Sequence, residues 1–272
     1  MLRFGSFSAW VAVDGVALPE YDTRANIVND TITCFVPSHA NKSFIVHWRT
    51  EANLMSTASF LKVDGQDCGG RVLPAFNATH PGSHFSCTMS HTGVLTSAKS
   101  ARSFYFSPVN FTEDDHCPNA TDIGTISLDI LGVEIVGSRP TAGVGFTPIP
   151  EVHEQSANDL NNVVHQTQLG PNISVDIPST IIVEPTIHFV TFVFKYRPIE
   201  NLQTIGVAPS PHRINRITPL RSAPNDPIWR RSSNKDEPAV DGALLPKIKR
   251  ESEDDMSEQR NPKAVWRRLL FS

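Results

Sequence analysis

Phe7-Ser8-Ala9-Trp10-Val11-Ala12-Val13-Asp14-Gly15 is the stretch whose reading decides the fold class. Phe7, Ala9, Val11 and Val13 alternate with Ser8, Trp10 and Ala12, the period of two that sends successive side chains to opposite faces of a strand. The spacing predicts a strand with one face buried. Asp14-Gly15 ends it, because a two-residue hairpin turn needs positive φ at both central positions and Asp-Gly adopts it readily. Val63-Asp64-Gly65 repeats the device after Phe60-Leu61-Lys62. Two hairpins are therefore expected.

Working outward, further strands are expected over residues 31–36, 43–49, 71–73, 84–89 and 102–107, each bounded by Pro, Gly, Asn or the His91-Thr92-Gly93 turn. Many short strands at even spacing predict an all-β fold, an antiparallel β-sandwich of two facing sheets, jelly-roll-like or Ig-like. Ile126, Leu128 and Ile130 give way to Val133 and Ile135, a change of phase at Leu131-Gly132 that predicts a β-bulge. From 185 to 196, Ile187, Phe189 and Val193 mark one face and Val190, Phe192, Phe194 and Tyr196 the other. That pattern predicts a central strand covered on both sides. Residues 138–180 have weak periodicity and read as a long loop or insertion with one helical candidate at 154–164. A helical turn at 201–205 closes a domain of residues 1–208.

After Pro209 the physical character changes. Eight of the 64 residues 209–272 are proline, charged residues dominate, and little apolar surface is left to offset the entropy of ordering, so this tail is expected to be disordered. Its last residues, Lys263 to Phe271, have the make-up of an isolated amphipathic turn, with a partner-docking motif as the alternative and fraying expected. Body and tail differ in charge: 11 Lys plus Arg against 19 Asp plus Glu before residue 209, and 13 against 9 after it. An acidic body argues against a DNA-wrapping surface, and a basic tail leaves weak nucleic-acid contact as an alternative.

Trp10-Val11-Ala12-Val13-Asp14-Gly15, Val46-His47-Trp48-Arg49, Val63-Asp64-Gly65-Gln66-Asp67-Cys68-Gly69-Gly70 and Phe194-Lys195-Tyr196-Arg197-Pro198 together resemble a family of uncharacterised domains from filamentous fungi, mainly mushroom-forming ones. The resemblance spans roughly the first two hundred residues and implies no assigned activity. Where that family often carries lysines after the segment like Val152–Ser156, this chain has Ala157-Asn158-Asp159.

Cys34, Cys68, Cys87 and Cys117 form no CxxC pair, so zinc is not expected and the thiols are expected to be free and mostly buried. Met1 to Trp10 alternates instead of presenting the apolar core of a secretory signal, and no stretch is long enough to span a bilayer. The expectation is an intracellular, reducing compartment with no membrane association. Asn-x-Ser/Thr triplets begin at Asn29, Asn41, Asn77, Asn110, Asn119 and Asn172; in that compartment they read as by-products of Asn in turns and Thr in strands.

No catalytic, cofactor-binding or metal-binding constellation stands out, and no cofactor is expected. Glu113-Asp114-Asp115-His116-Cys117 reads as a solvated acidic loop, since neighbours on extended chain point to opposite sides. His47 and His153 read as hydrogen-bonded structural histidines. In the tail, Ile248-Lys249-Arg250-Glu251 has the hydrophobic-Lys-x-Glu pattern of a SUMO acceptor, followed by acidic Glu253, Asp254 and Asp255. Arg230 and Arg231 with Lys247, Lys249 and Arg250 resemble a bipartite nuclear import signal. The expected function is a non-enzymatic, nuclear interaction protein that binds a protein partner. The alternative is a β-sandwich enzyme or carbohydrate binder built on loop residues such as His116, His153 and Glu154.

Overall fold

The computed structural model describes residues 1–51, 55–75, 88–109, 111–112, 122–143, 152–153, 164–210 and 268–271. The chain divides into two units, and all the described residues fall in one of them. The opening alternation becomes strand β2 (Phe7–Val13), joined by the predicted Asp-Gly turn to β3 (Val16–Ala17). Asp14 and Gly15 take φ of 51° and 78°, and Asp64 and Gly65 take 51° and 76°. The second turn joins β7 (Thr57–Val63) to β8 (Gln66–Leu73). Both hairpins stand as predicted, and for the predicted reason.

Two sheets face each other. The first runs β1 (Leu2–Phe4), β2, β6 (Ser43–Thr50), β11 (Ser100–Pro108), β10 (Gly93–Ser97). To it β9 (Thr88–His91) adds beside β6, and β15 (His165–Ser174) beside β11. The second contains β4 (Tyr21–Asn26), β5 (Thr31–Pro37), β7, β8, β13 (Thr125–Pro140), β16 (Ser179–Arg197) and β17 (Arg268–Phe271). It is mixed, since β16 pairs in parallel with β5 and β17 in parallel with β8. Outside both sheets, β12 (Phe111–Thr112) and β14 (Val152–His153) form a short parallel pair. The predicted helical turn is α1 (Ile199–Thr204), which buries Leu202.

Between the sheets lies one large core containing Phe44, Trp48, Phe104, Phe106, Leu61, Ile126, Leu128, Ile130, Phe192, Phe194 and Tyr196, all fully buried. Phe44 stacks on Phe104 and Phe106 at 5.3 and 4.4 Å, and Phe106 meets Tyr196 at 4.9 Å, so an aromatic chain crosses from one sheet to the other. A second cluster, Ala58, Phe60, Val72, Val133 and Val183 with Leu131 and Ile181 against it, occupies the opposite face of β7 and β8. The two longest strands supply it. β13 and β16 stay paired far beyond the sandwich, with register slips between Ile130 and Leu131 and between Gly132 and Val133, where the bulge was expected. A Cβ on Gly132 would stand 2.7 Å from Ile187 Cγ2 and 2.8 Å from Met55 Cε, so a larger residue would have to displace both side chains. β17 then lies between β8 and β16, and the strands β13, β7, β8, β17 and β16 return to β13 as a closed ring.

Four expectations change. Residues 138–180 are no plain loop: β13 continues to Pro140, and β15 pairs with β11 from Pro108↔His165 to Ser100↔Ser174. The helical candidate at 154–164 lies outside the described residues except for Val164, which is irregular and exposed. β2 is buried on both faces, with Ser8 at 2% and Ala12 at 3% exposure. β16 is central, flanked by β13 and β5, yet Ile187 on its outer face is 51% exposed. Lastly, Arg268–Phe271, expected to fray, form β17; apart from these four and Pro209–Ser210, residues 209–272 lie outside the described residues.

Phe192 is wholly buried in the main core. Phe192→Ala should therefore cost about 3 to 5 kcal/mol of unfolding free energy, from lost transfer energy and the cavity left behind. Urea unfolding checks this, and midpoints equal to the parent's would show that the core is misplaced.

Candidate functional site

The Asp-Gly turn between β7 and β8 carries more than chain reversal. Left-handed φ at Asp64 aims its carboxylate inward, where it is 5% exposed and accepts hydrogen bonds from the backbone N–H of Gly124 (2.8 Å), Thr125 (3.3 Å) and Thr167 (2.7 Å). The Tyr196 hydroxyl sits 2.6 and 2.7 Å from its two oxygens and 3.0 Å from Thr167 Oγ1. Arg197, also buried, donates to the carbonyls of Gly124 and Tyr196. Burial pushes the Asp64 carboxyl up to about 6, against the pull of these donors toward the ionised form. This node ties β7, β13, β15 and β16 together. It is closed to solvent and fastens the fold.

A second buried polar pair bridges the sheets. His91 Nε2, at the end of β9, lies 2.8 Å from Ser59 Oγ of β7, and His91 is 2% exposed. Burial and the nearby Arg71 cation push its imidazole down to about 3, so it stays neutral. Reading His91-Thr92-Gly93 as a turn is thus corrected: His91 is a strand residue in the core. His47 is half-buried, stacked on Trp10 at 5.1 Å, with Nδ1 2.7 Å from Ser90 Oγ. It is hydrogen-bonded, as expected.

Among the described residues there is an apolar cleft of about 410 Å³ at one end of the sandwich, lined by Phe4, Gly5, Ser6, Phe7, Met55, Thr57 and Phe189. The β1–β2 turn forms one wall, and β7 and β16 supply the other. Phe7 and Phe189 meet across it with centroids 5.0 Å apart and planes tilted by 35°. Thr57 Oγ1 is buried there with no hydrogen-bond partner among the described residues. Among the described residues no titratable side chain lines the cleft. Its size suits a small ligand or one large side chain.

Of the residues singled out in the sequence, His153 lies in β14, with Val152 and His153 paired to Phe111 and Thr112. His116 and Glu154 themselves lie outside the described residues, as do Lys249, Ile248, Glu251, Arg230, Arg231, Lys247 and Arg250. Cys34 and Cys68 are free and buried; burial pushes the Cys34 thiol up to about 12. Among the described residues no group of three or more His, Cys, Asp or Glu is placed to hold a metal, and no helix is long and apolar enough to cross a membrane. Sequence reasoning missed the Asp64 node and the cleft. The buried Tyr196 hydroxyl, which needs a partner, was the available signal for the first.

Asp64 and His91 set opposing pH dependences. Asp64 is raised from 3.8 to about 6, so its contribution to stability is full below 3.8 and is lost as pH rises through 6. His91 is lowered from 6.5 to about 3, so its contribution is present above 6.5 and is lost as pH falls toward 3. Between about pH 4 and 6 the two slopes, each about 1.4 kcal/mol per pH unit, cancel. Relative to the parent, His91→Gln should therefore gain stability as pH falls from 6 to 4, and Asp64→Asn should lose it. Urea unfolding at pH 4, 5 and 6 tests both; differences from the parent that stay constant with pH would show that neither group titrates in this window.

Comparison with curated proteins and with solved structures finds no match. A family model described as a domain of unknown function (DUF7918) matches residues 7–211, which takes in β2 to β16 and α1. The chain therefore belongs to the DUF7918 family.

Proposed function

We propose that this protein is a non-enzymatic, intracellular interaction protein that acts in the nucleus and recognises a protein partner through the apolar cleft. The observation that carries the reading is the lining itself: Phe4, Phe7, Met55 and Phe189 supply aromatic and thioether surface, and among the described residues its polar side chains are the hydroxyls of Ser6 and Thr57, with no histidine, carboxylate or thiol to activate them. Chemistry needs a titratable or nucleophilic group at the reacting atom, whereas recognition of a large apolar side chain needs a desolvated aromatic pocket. Thr57 adds one hydroxyl able to fix the orientation of whatever enters. The tail contributes placement in the cell through Arg230, Arg231, Lys247, Lys249 and Arg250, and Lys249 within its Ile248–Glu251 motif is the SUMO acceptor. The filamentous-fungal source belongs to the same reading.

Phe189→Asp places a charge in the cleft. Loss of an interface anchor costs about 2 kcal/mol or more, roughly thirtyfold in affinity. In proximity labelling from the native cell, the neighbours of the parent should be depleted around Phe189→Asp at equal protein level and unchanged melting temperature. An identical set of neighbours would sink the cleft as the recognition surface. Nuclear placement has its own test. A tagged chain should accumulate in the nucleus and lose that accumulation when the five basic residues become Ala; exclusion of the parent from the nucleus would overturn it.

A further inference from the structure

The seat of the last strand is separate from the cleft. β8 and β16 flank a gap one strand wide, and the far edge of each is already engaged: β8 with β7, and β16 with β13 through Thr180↔Arg139, Ile181↔Ser138, Ile182↔Gly137 and Val183↔Ile135. Each strand therefore offers one free row of backbone donors and acceptors to the gap. An extended segment placed there is bonded along both its edges, where a strand added to an ordinary sheet border is bonded along one. Arg268–Phe271 fill it, antiparallel to Thr180–Val183 and parallel to Gly70 and Arg71. Gly69, with φ of 85°, turns β8 at the point where this pairing begins. Under the gap lies the small cluster of Phe60, Val72 and Val183 with Ile181 against it, apart from the main core.

We propose that the gap between β8 and β16 is a strand-addition site for extended apolar segments, and that Arg268–Phe271 is its resident occupant, held in cis and exchangeable. Three features support this. The occupant is four residues long, and its seat touches only the smaller cluster, so release leaves the sandwich between the sheets intact. The occupant is joined to Ser210 by 57 residues, 211–267. By its length alone, a 57-residue connection lets the segment leave its seat while staying attached to the chain. Leu269-Leu270-Phe271 is also an uncharged, fully apolar run, a composition suited to a strand.

The test uses the full chain. Leu270→Pro removes the N–H and the geometry that the ladders need. Hydrogen exchange should become at least about tenfold faster at Thr180–Val183 and Gly70–Arg71, while the main-core amides of Val190–Tyr196 keep their protection. A synthetic peptide with the sequence of residues 263–272, added in excess to the Leu270→Pro chain, should restore slow exchange, and the same peptide carrying the proline should not. In the parent, protection should not vary with protein concentration. Unchanged exchange in Leu270→Pro overturns the proposal, as does faster exchange that the peptide leaves untouched. Protection in the parent that grows with concentration, together with dimer formation, overturns occupancy in cis and assigns the segment to a second copy.

Discussion

The ladder between β13 and β16 is the constraint on which the rest depends. It runs through fifteen paired positions and serves two cores in succession. Up to Ile130, the even-numbered residues Ile126, Leu128 and Ile130 face the main core with Val190, Phe192 and Phe194 from the partner strand. Past the slips around Leu131 and Gly132 the odd-numbered face takes over, and Leu131 and Val133 join Ile181 and Val183 under the small cluster. A strand buries one face at a time unless something lies against both. Here the covering changes sides along one pair of strands, and the bulges mark the crossing.

How much of this was legible follows from what kind of signal each element leaves. Turns that need positive φ write themselves into the sequence as Asp-Gly, and apolar alternation marks β2, β5, β6 and β11. The phase change in β13 was visible because apolar residues cannot swap faces without a cause. β15 left no such trace: His165-Gln166-Thr167-Gln168-Leu169-Gly170 is polar in composition, and its strand character comes from the backbone of β11 beside it. β4, with Asp22 at φ of 47°, is an exposed, polar edge strand of the kind that escapes pattern reading. β17 was hidden because its partners are more than eighty and two hundred residues away, and no local pattern reports distant pairing.

The polar interior was the least legible part. Asp64 was read as a turn residue and His91 as part of a turn, and each proves to be a buried group serviced by strands remote in sequence. Burying a polar group is tolerable only with partners, and the partners are chosen by topology, which comes after local structure. The Cys34 thiol follows the same logic: burial holds it protonated and thus poorly nucleophilic. What the interior seals off, the cleft and the strand seat leave available. The residues of the tail motifs and of the alternative loop-built site, other than His153 in β14, lie outside the described residues, so their roles rest on composition and pattern.

The position of β17 also has a consequence for biosynthesis. β16 is complete at Arg197, but its neighbour at Thr180–Val183 arrives only with Arg268, 71 residues later. At about 5–20 residues per second, the ribosome needs several seconds to cover that distance. Throughout that interval the nascent body carries an unsealed seam with two bare backbone rows, open to any extended chain nearby. A polysome, which lines up copies at staggered stages of translation, is where a foreign strand would find that seam first.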